Sequence, residues 1–174
     1  RRFLAWLREQ LASYGLELAE EKSGIVKFTR FNVKASGRFT FLGFDFFWSQ
    51  TRTGKQTVKR QTNRKKMSAS LQSMKQWIQT NRNQTLKQLA PTLRRKLLGH
   101  YNYYGVIGNS ESLGKFQHWC QHILFKWLNR RSQRRSYNWT GFSQMWGTLG
   151  MPSPQVVEKP YRYQTRLELI NAYA

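Results

Sequence analysis

The chain has 174 residues, with 30 Lys and Arg against 8 Asp and Glu, a formal net charge of +22 and a pI near 10.9. Its 7 Trp, 8 Tyr and 11 Phe are enough large side chain for a core, which excludes a disordered polycation. One cysteine excludes an intramolecular disulfide and a Cys-based zinc cluster, and no apolar run is long enough to cross a bilayer.

Residues 3–14 read as an amphipathic helix, because Phe3, Leu7 and Leu11 recur every four positions. Gly15 stands where a left-handed C-terminal cap would close it. Leu16 and Leu18, then Ile25, Val26 and Phe28, predict short strands around a polar turn at 20–24. Residues 38–48 are aromatic and strand-like, and Gly43 within them predicts a bulge or a close backbone approach. The strand zone is expected to end at Thr53-Gly54-Lys55, with Thr51 to Asn63 as a polar, basic linker.

From residue 64 the apolar period changes from 2 to 3.6. Met67, Leu71, Met74 and Ile78 predict a helix over 64–79. Thr85 and Gln88 form a capping box for a short helix through Leu89. Pro91 is expected to open a separate helix over 91–104, with Leu93, Leu97, Tyr101 and Tyr104 on one face. Gly105, Gly108 and Asn109 break it. The cleanest stripe covers 112–131, through Phe116, Trp119, Cys120, Ile123, Leu124, Trp127 and Leu128, and places Trp119 in the core. After Trp139, Gly141, Gly147, Gly150 and Pro152 predict an irregular extension. The fold class is α+β: a short β-hairpin with one helix in residues 1–55, an all-α three-helix domain in 60–140, and an irregular C-terminal extension in 141–174.

The charge is concentrated in one part of the chain. Residues 50–135 hold 19 basic residues and one acid, Glu111. Such a block cannot neutralise itself internally, so it calls for an external polyanion, and nucleic acid fits better than a membrane. The candidate phosphate-binding clusters are Lys59 and Arg60; Arg64, Lys65 and Lys66; Arg94, Arg95 and Lys96; and Arg130, Arg131, Arg134 and Arg135. Arginine suits bidentate phosphate contacts. Tyr103 is the candidate for stacking on a base, whereas Tyr101 and Tyr104 are expected to pack between helices. The eight acids form no catalytic pair: only Glu20 and Glu21 adjoin, and in an extended segment they point apart. His118, Cys120 and His122 read as two surface histidines and a buried thiol, too few ligands for zinc. No catalytic or metal-binding residue is assigned.

Several blocks resemble bacterial group II intron reverse transcriptase–maturases. Gly15 to Val26 is similar to the block downstream of that family's catalytic aspartate motif. Phe39-Thr40-Phe41-Leu42-Gly43-Phe44 resembles its last palm block. Leu97-Leu98-Gly99-His100-Tyr101-Asn102-Tyr103-Tyr104 resembles its maturase, or thumb, signature, and Trp127 to Trp139 with Phe142 resembles the end of that domain. The blocks stand in family order and cover nearly all of residues 3–142.

The resemblance implies the end of a palm in residues 1–55 and an RNA-binding thumb in 60–140. It implies that Lys22 lies near the polymerase site and touches phosphate. It also implies that Phe41, Leu42, Gly43 and Phe44 form a primer-grip hairpin. The family's Tyr-Ala-Asp-Asp turn is missing from this sequence, so this chain is not expected to polymerise DNA by itself. No cofactor is expected in the chain, and Mg²⁺ is implied only for the complete polymerase. The implied partners are group II intron RNA or another structured RNA, an RNA–DNA primer–template, and the fingers–palm portion on the same or another chain. The implied setting is the bacterial cytoplasm, in a ribonucleoprotein. A stand-alone reverse transcriptase of phage defence or a CRISPR locus, a general basic RNA-binding scaffold, and a split enzyme are the alternative expectations.

Overall fold

The computed structural model describes residues 2–19, 21, 23–29, 31, 37–131 and 136–159. Its elements are α1 (Arg2–Ser13), β1 (Phe39–Phe41), β2 (Phe44–Gln50), β3 (Gln56–Thr62), α2 (Arg64–Asn81), α3 (Leu86–Tyr104), α4 (Ser110–Leu128) and α5 (Trp139–Thr148). The α+β class holds. Among the described residues no helix is long and apolar enough to cross a membrane.

The three strands form an antiparallel meander in the order β1-β2-β3. β1 turns into β2 through Leu42 and Gly43, both at positive φ (47° and 80°), as a tight two-residue hairpin of this hand requires. Phe39 faces Phe46 across the ladder, with rings 5.0 Å apart and nearly parallel. Phe28 lies over this aromatic face, 5.1 Å from Phe39 and 5.3 Å from Trp48.

Two sequence expectations are corrected here. Residues 16–18 and 25–28 form no strand: Leu16 folds back on α1, its N–H donating to the Leu11 carbonyl (2.9 Å), and Phe28 meets the sheet through its ring. The linker is also no linker: Gln56–Thr62 pairs with β2 along its whole length. A polar edge strand is held by backbone hydrogen bonds, which leave no apolar signature.

α2, α3 and α4 build the core, with α5 closing it. Ile78, Leu93, Leu97, Tyr101, Leu113, Phe116, Cys120, Leu124, Leu128 and Phe142 are at most 2% exposed. Burying each aliphatic or aromatic side chain contributes roughly 1.5–3 kcal/mol. The short helix and the helix after Pro91 are one continuous helix, α3, with Pro91 inside it and exposed. Gln88 reaches back to the Thr85 N–H (3.0 Å), so the expected cap is made. Residues 139–148, expected to be irregular, form a helix because Asn138 caps the Gly141 N–H (2.7 Å) and Phe142 and Trp146 are buried. Trp119 is 53% exposed, not in the core. It falls one step outside the Phe116–Cys120–Leu124 stripe that α4 buries.

Candidate nucleic-acid interface

The hairpin tip is tied to the C-terminal end of α3. The Tyr103 hydroxyl donates to the Leu42 carbonyl (2.9 Å), and Phe44 packs on Tyr104 at 5.3 Å. Gly43 sits so close to Tyr104 that a Cβ there would lie 3.1 Å from its hydroxyl. The expected close approach at Gly43 is therefore real, and its neighbour is protein. Phe41 and Leu42 stay exposed at the tip (58% and 66%), and Phe44 is buried.

Asn63 joins the same hairpin to α2. Its N–H donates to the Gly43 carbonyl (2.9 Å) and its side-chain oxygen caps the Lys65 and Lys66 N–H groups (3.0 and 3.3 Å). Its amide donates to Asp45 (2.8 Å), which also accepts from Thr40 (2.7 Å). Arg64, Lys65 and Lys66 are thus exposed on the first turn of α2, with no acid in that turn. The helix's positive end adds to their field, and together they make an anion-attracting corner beside the hairpin tip. A cavity of about 430 Å³ lies between α2 and α3, lined by Ser70, Ser73, Lys96, His100, Tyr103 and Tyr104 among others.

The other predicted cations are dispersed. Arg60 pairs with Glu158, whose carboxyl is held below its usual range chiefly by that hydrogen bond. Lys59 is exposed on β3. Arg94, Arg95 and Lys96 fan over about 200° of helix surface. Arg94 donates to the Leu149 carbonyl (2.7 Å), Arg95 to Thr92 (3.3 Å), and Lys96 lies 5.4 Å from the Trp77 ring. Arg130 lies 5.6 Å from the Trp127 ring, and Arg130 and Arg131 both follow the negative end of α4. Lys22, Arg134 and Arg135 lie outside the described residues.

Residues 67–146 match the group II intron, maturase-specific domain family. This part of the chain is a group II intron maturase domain. The match spans nearly all of α2, the whole of α3 and α4, and α5 as far as Trp146. It assigns the C-terminal part of the chain to the maturases, proteins of group II intron splicing. No curated protein and no solved structure matches the chain significantly.

The maturase domain is built around polar anchors that the sequence reading passed over. Asn109, 1% exposed, accepts from the Thr62 N–H (2.9 Å) and donates to the Thr62 hydroxyl and the Tyr104 carbonyl (both 2.8 Å). It binds the end of β3 to the α3–α4 junction. Glu158 also accepts from the Ile107 N–H (2.7 Å), and the Val157 and Glu158 N–H groups donate to the Gly105 carbonyl (2.8 and 3.0 Å). His100 stacks on Phe116, and burial pushes its pKa down to about 4. In the sequence only the Gly105 and Gly108 break beside it marks Asn109, and its burial is not legible there.

Among the described residues, no group of three or more His, Cys, Asp or Glu could hold a metal. Asp45, the one acid of the sheet, is engaged by Thr40 and Asn63. The described residues do not fit the Mg²⁺ site implied for the complete polymerase.

Proposed function

We propose that this chain is the RNA-holding end of a group II intron reverse transcriptase–maturase. It grips folded intron RNA electrostatically, and it places the β1–β2 tip against the end of a primer on its template. The intron's own RNA performs the splicing chemistry. One observation carries the reading: the Arg64-Lys65-Lys66 corner, on the positive end of α2 and with no acid in its own turn, is locked through Asn63 to the exposed hairpin tip. Charge for phosphate and a rigid tip for a strand end meet at one place. Tyr103 supports the tip rather than leaving it mobile.

Titration of group II intron RNA against the chain at several salt concentrations tests this. Charge reversal at Arg64, Lys65 and Lys66 is expected to flatten the log–log salt slope by roughly 2–3. Acids at a helix N-terminus favour the helix, so the loss is not an unfolding artefact. An unchanged slope rejects the corner as a phosphate site.

A further inference from the structure

A second surface lies away from the hairpin, in the groove where α2 meets α4. Trp119, 53% exposed, stands beside His122, with ring centroids 6.1 Å apart. His122 in turn stacks on Trp139, 40% exposed, at 4.6 Å and 22°. A hollow of about 240 Å³ opens there, lined by Lys75 from α2 and by Trp119, His122, Ile123, Lys126 and Trp127 from α4. The guanidinium groups of Arg82 and Arg130 lie 5.4 and 5.6 Å from the Trp127 ring. Among the described residues no acidic side chain lines the hollow.

We propose that Trp119, flanked by His122 and rimmed by Lys75 and Lys126, is a stacking platform for an unpaired RNA nucleotide. The inference rests on the reading of the chain as an RNA binder and adds a site for single strands to it. Open indole faces in water are costly for a helix to display without a partner, and flat apolar rings edged by ammonium groups match a base with its phosphate. Charge complementarity decides the occupant. A second copy of this chain would bring the same +22 charge against this cationic rim. A duplex keeps its bases stacked inside and offers indole no face, so unpaired loop or junction nucleotides are the fitting ligand.

The test uses the whole chain, a short unstructured RNA carrying one fluorescent adenine analogue, and a blunt-ended, fully paired RNA duplex of two strands. Stacking on indole quenches the analogue. Trp119→Ala is expected to weaken single-strand binding roughly 5- to 100-fold and to abolish the quench. Trp119→Phe should keep most of both, and the paired duplex should bind either variant as it binds the unmodified chain. Equal single-strand affinity for Trp119→Ala, with intron RNA still bound through the α2 corner, overturns the platform and leaves the proposed function standing. So does a sedimentation profile in which the unmodified chain self-associates and Trp119→Ala does not, which would mean that the face meets a second copy. Failure of the unmodified chain to bind any RNA removes both readings.

Discussion

Leu42 holds a backbone conformation that L side chains other than Asn and Asp rarely adopt. Its exposed side chain gains nothing from that, but its carbonyl receives Tyr103. Strain of this kind costs about 1 kcal/mol and persists where surrounding structure imposes it. Leu42→Asn is therefore expected to raise stability in urea unfolding by roughly 0.5–1 kcal/mol. Gly43→Ala should act oppositely, losing about 1–2 kcal/mol, since the methyl group combines positive φ with a 3.1 Å approach to the Tyr104 hydroxyl. His100 supplies a pH dependence. Its pKa falls from 6.5 to about 4 on folding because burial disfavours the imidazolium. Between those values the unfolded chain binds the proton and the folded chain does not, so stability falls as pH drops from 6.5 towards 4. The full effect is at most about 3 kcal/mol. His100→Gln should flatten this part of the thermal stability–pH curve, and an unchanged slope would assign it to other groups.

α3 carries a proline in its second turn and remains helical. Pro91 removes one N–H and crowds the carbonyl four residues back, yet its ring is exposed and the apolar face on either side is buried. Packing of Leu89, Leu93 and Leu97 outweighs the local penalty. Pro91→Ala should accordingly raise the thermal midpoint, by the equivalent of about 1–3 kcal/mol. A lower midpoint would mean that the proline prevents a competing structure. α2 has the converse arrangement. Its start depends on one side chain, Asn63, which caps two N–H groups and holds Asp45. The periodic faces of α2, α3 and α4 were legible because each repeats a local rule every three or four residues. Pro91 and the glycines around α5 misled that rule, since they report backbone preference and not the burial that overrides it.

At the scale of the whole molecule, net charge sets two opposing responses to salt. Added salt screens the self-repulsion of the free chain, so its melting temperature should rise. The same salt weakens RNA binding through the loss of counterion release. Parallel movement of both quantities would show that the charge does not act through self-repulsion and phosphate binding. The distribution of that charge was legible from composition; its availability was not. Arg60 is matched by a residue 98 positions away, and Arg94 by a carbonyl 55 positions away. No local pattern encodes such pairings.

By itself the sequence determined the α+β class, the helical core of the maturase domain and the excess of cations in residues 50–135. These are properties of composition and short-range period, and burial of a repeated apolar face makes them nearly independent of the rest of the chain. Tertiary structure alone decided that the supposed linker is β3, that Asn109 is the buried tie between sheet and helices, that Asn63 ties the basic start of α2 to the hairpin tip, and that Trp119 faces solvent. Each of these depends on which distant segment covers a given surface, and that is settled by packing between elements rather than within them.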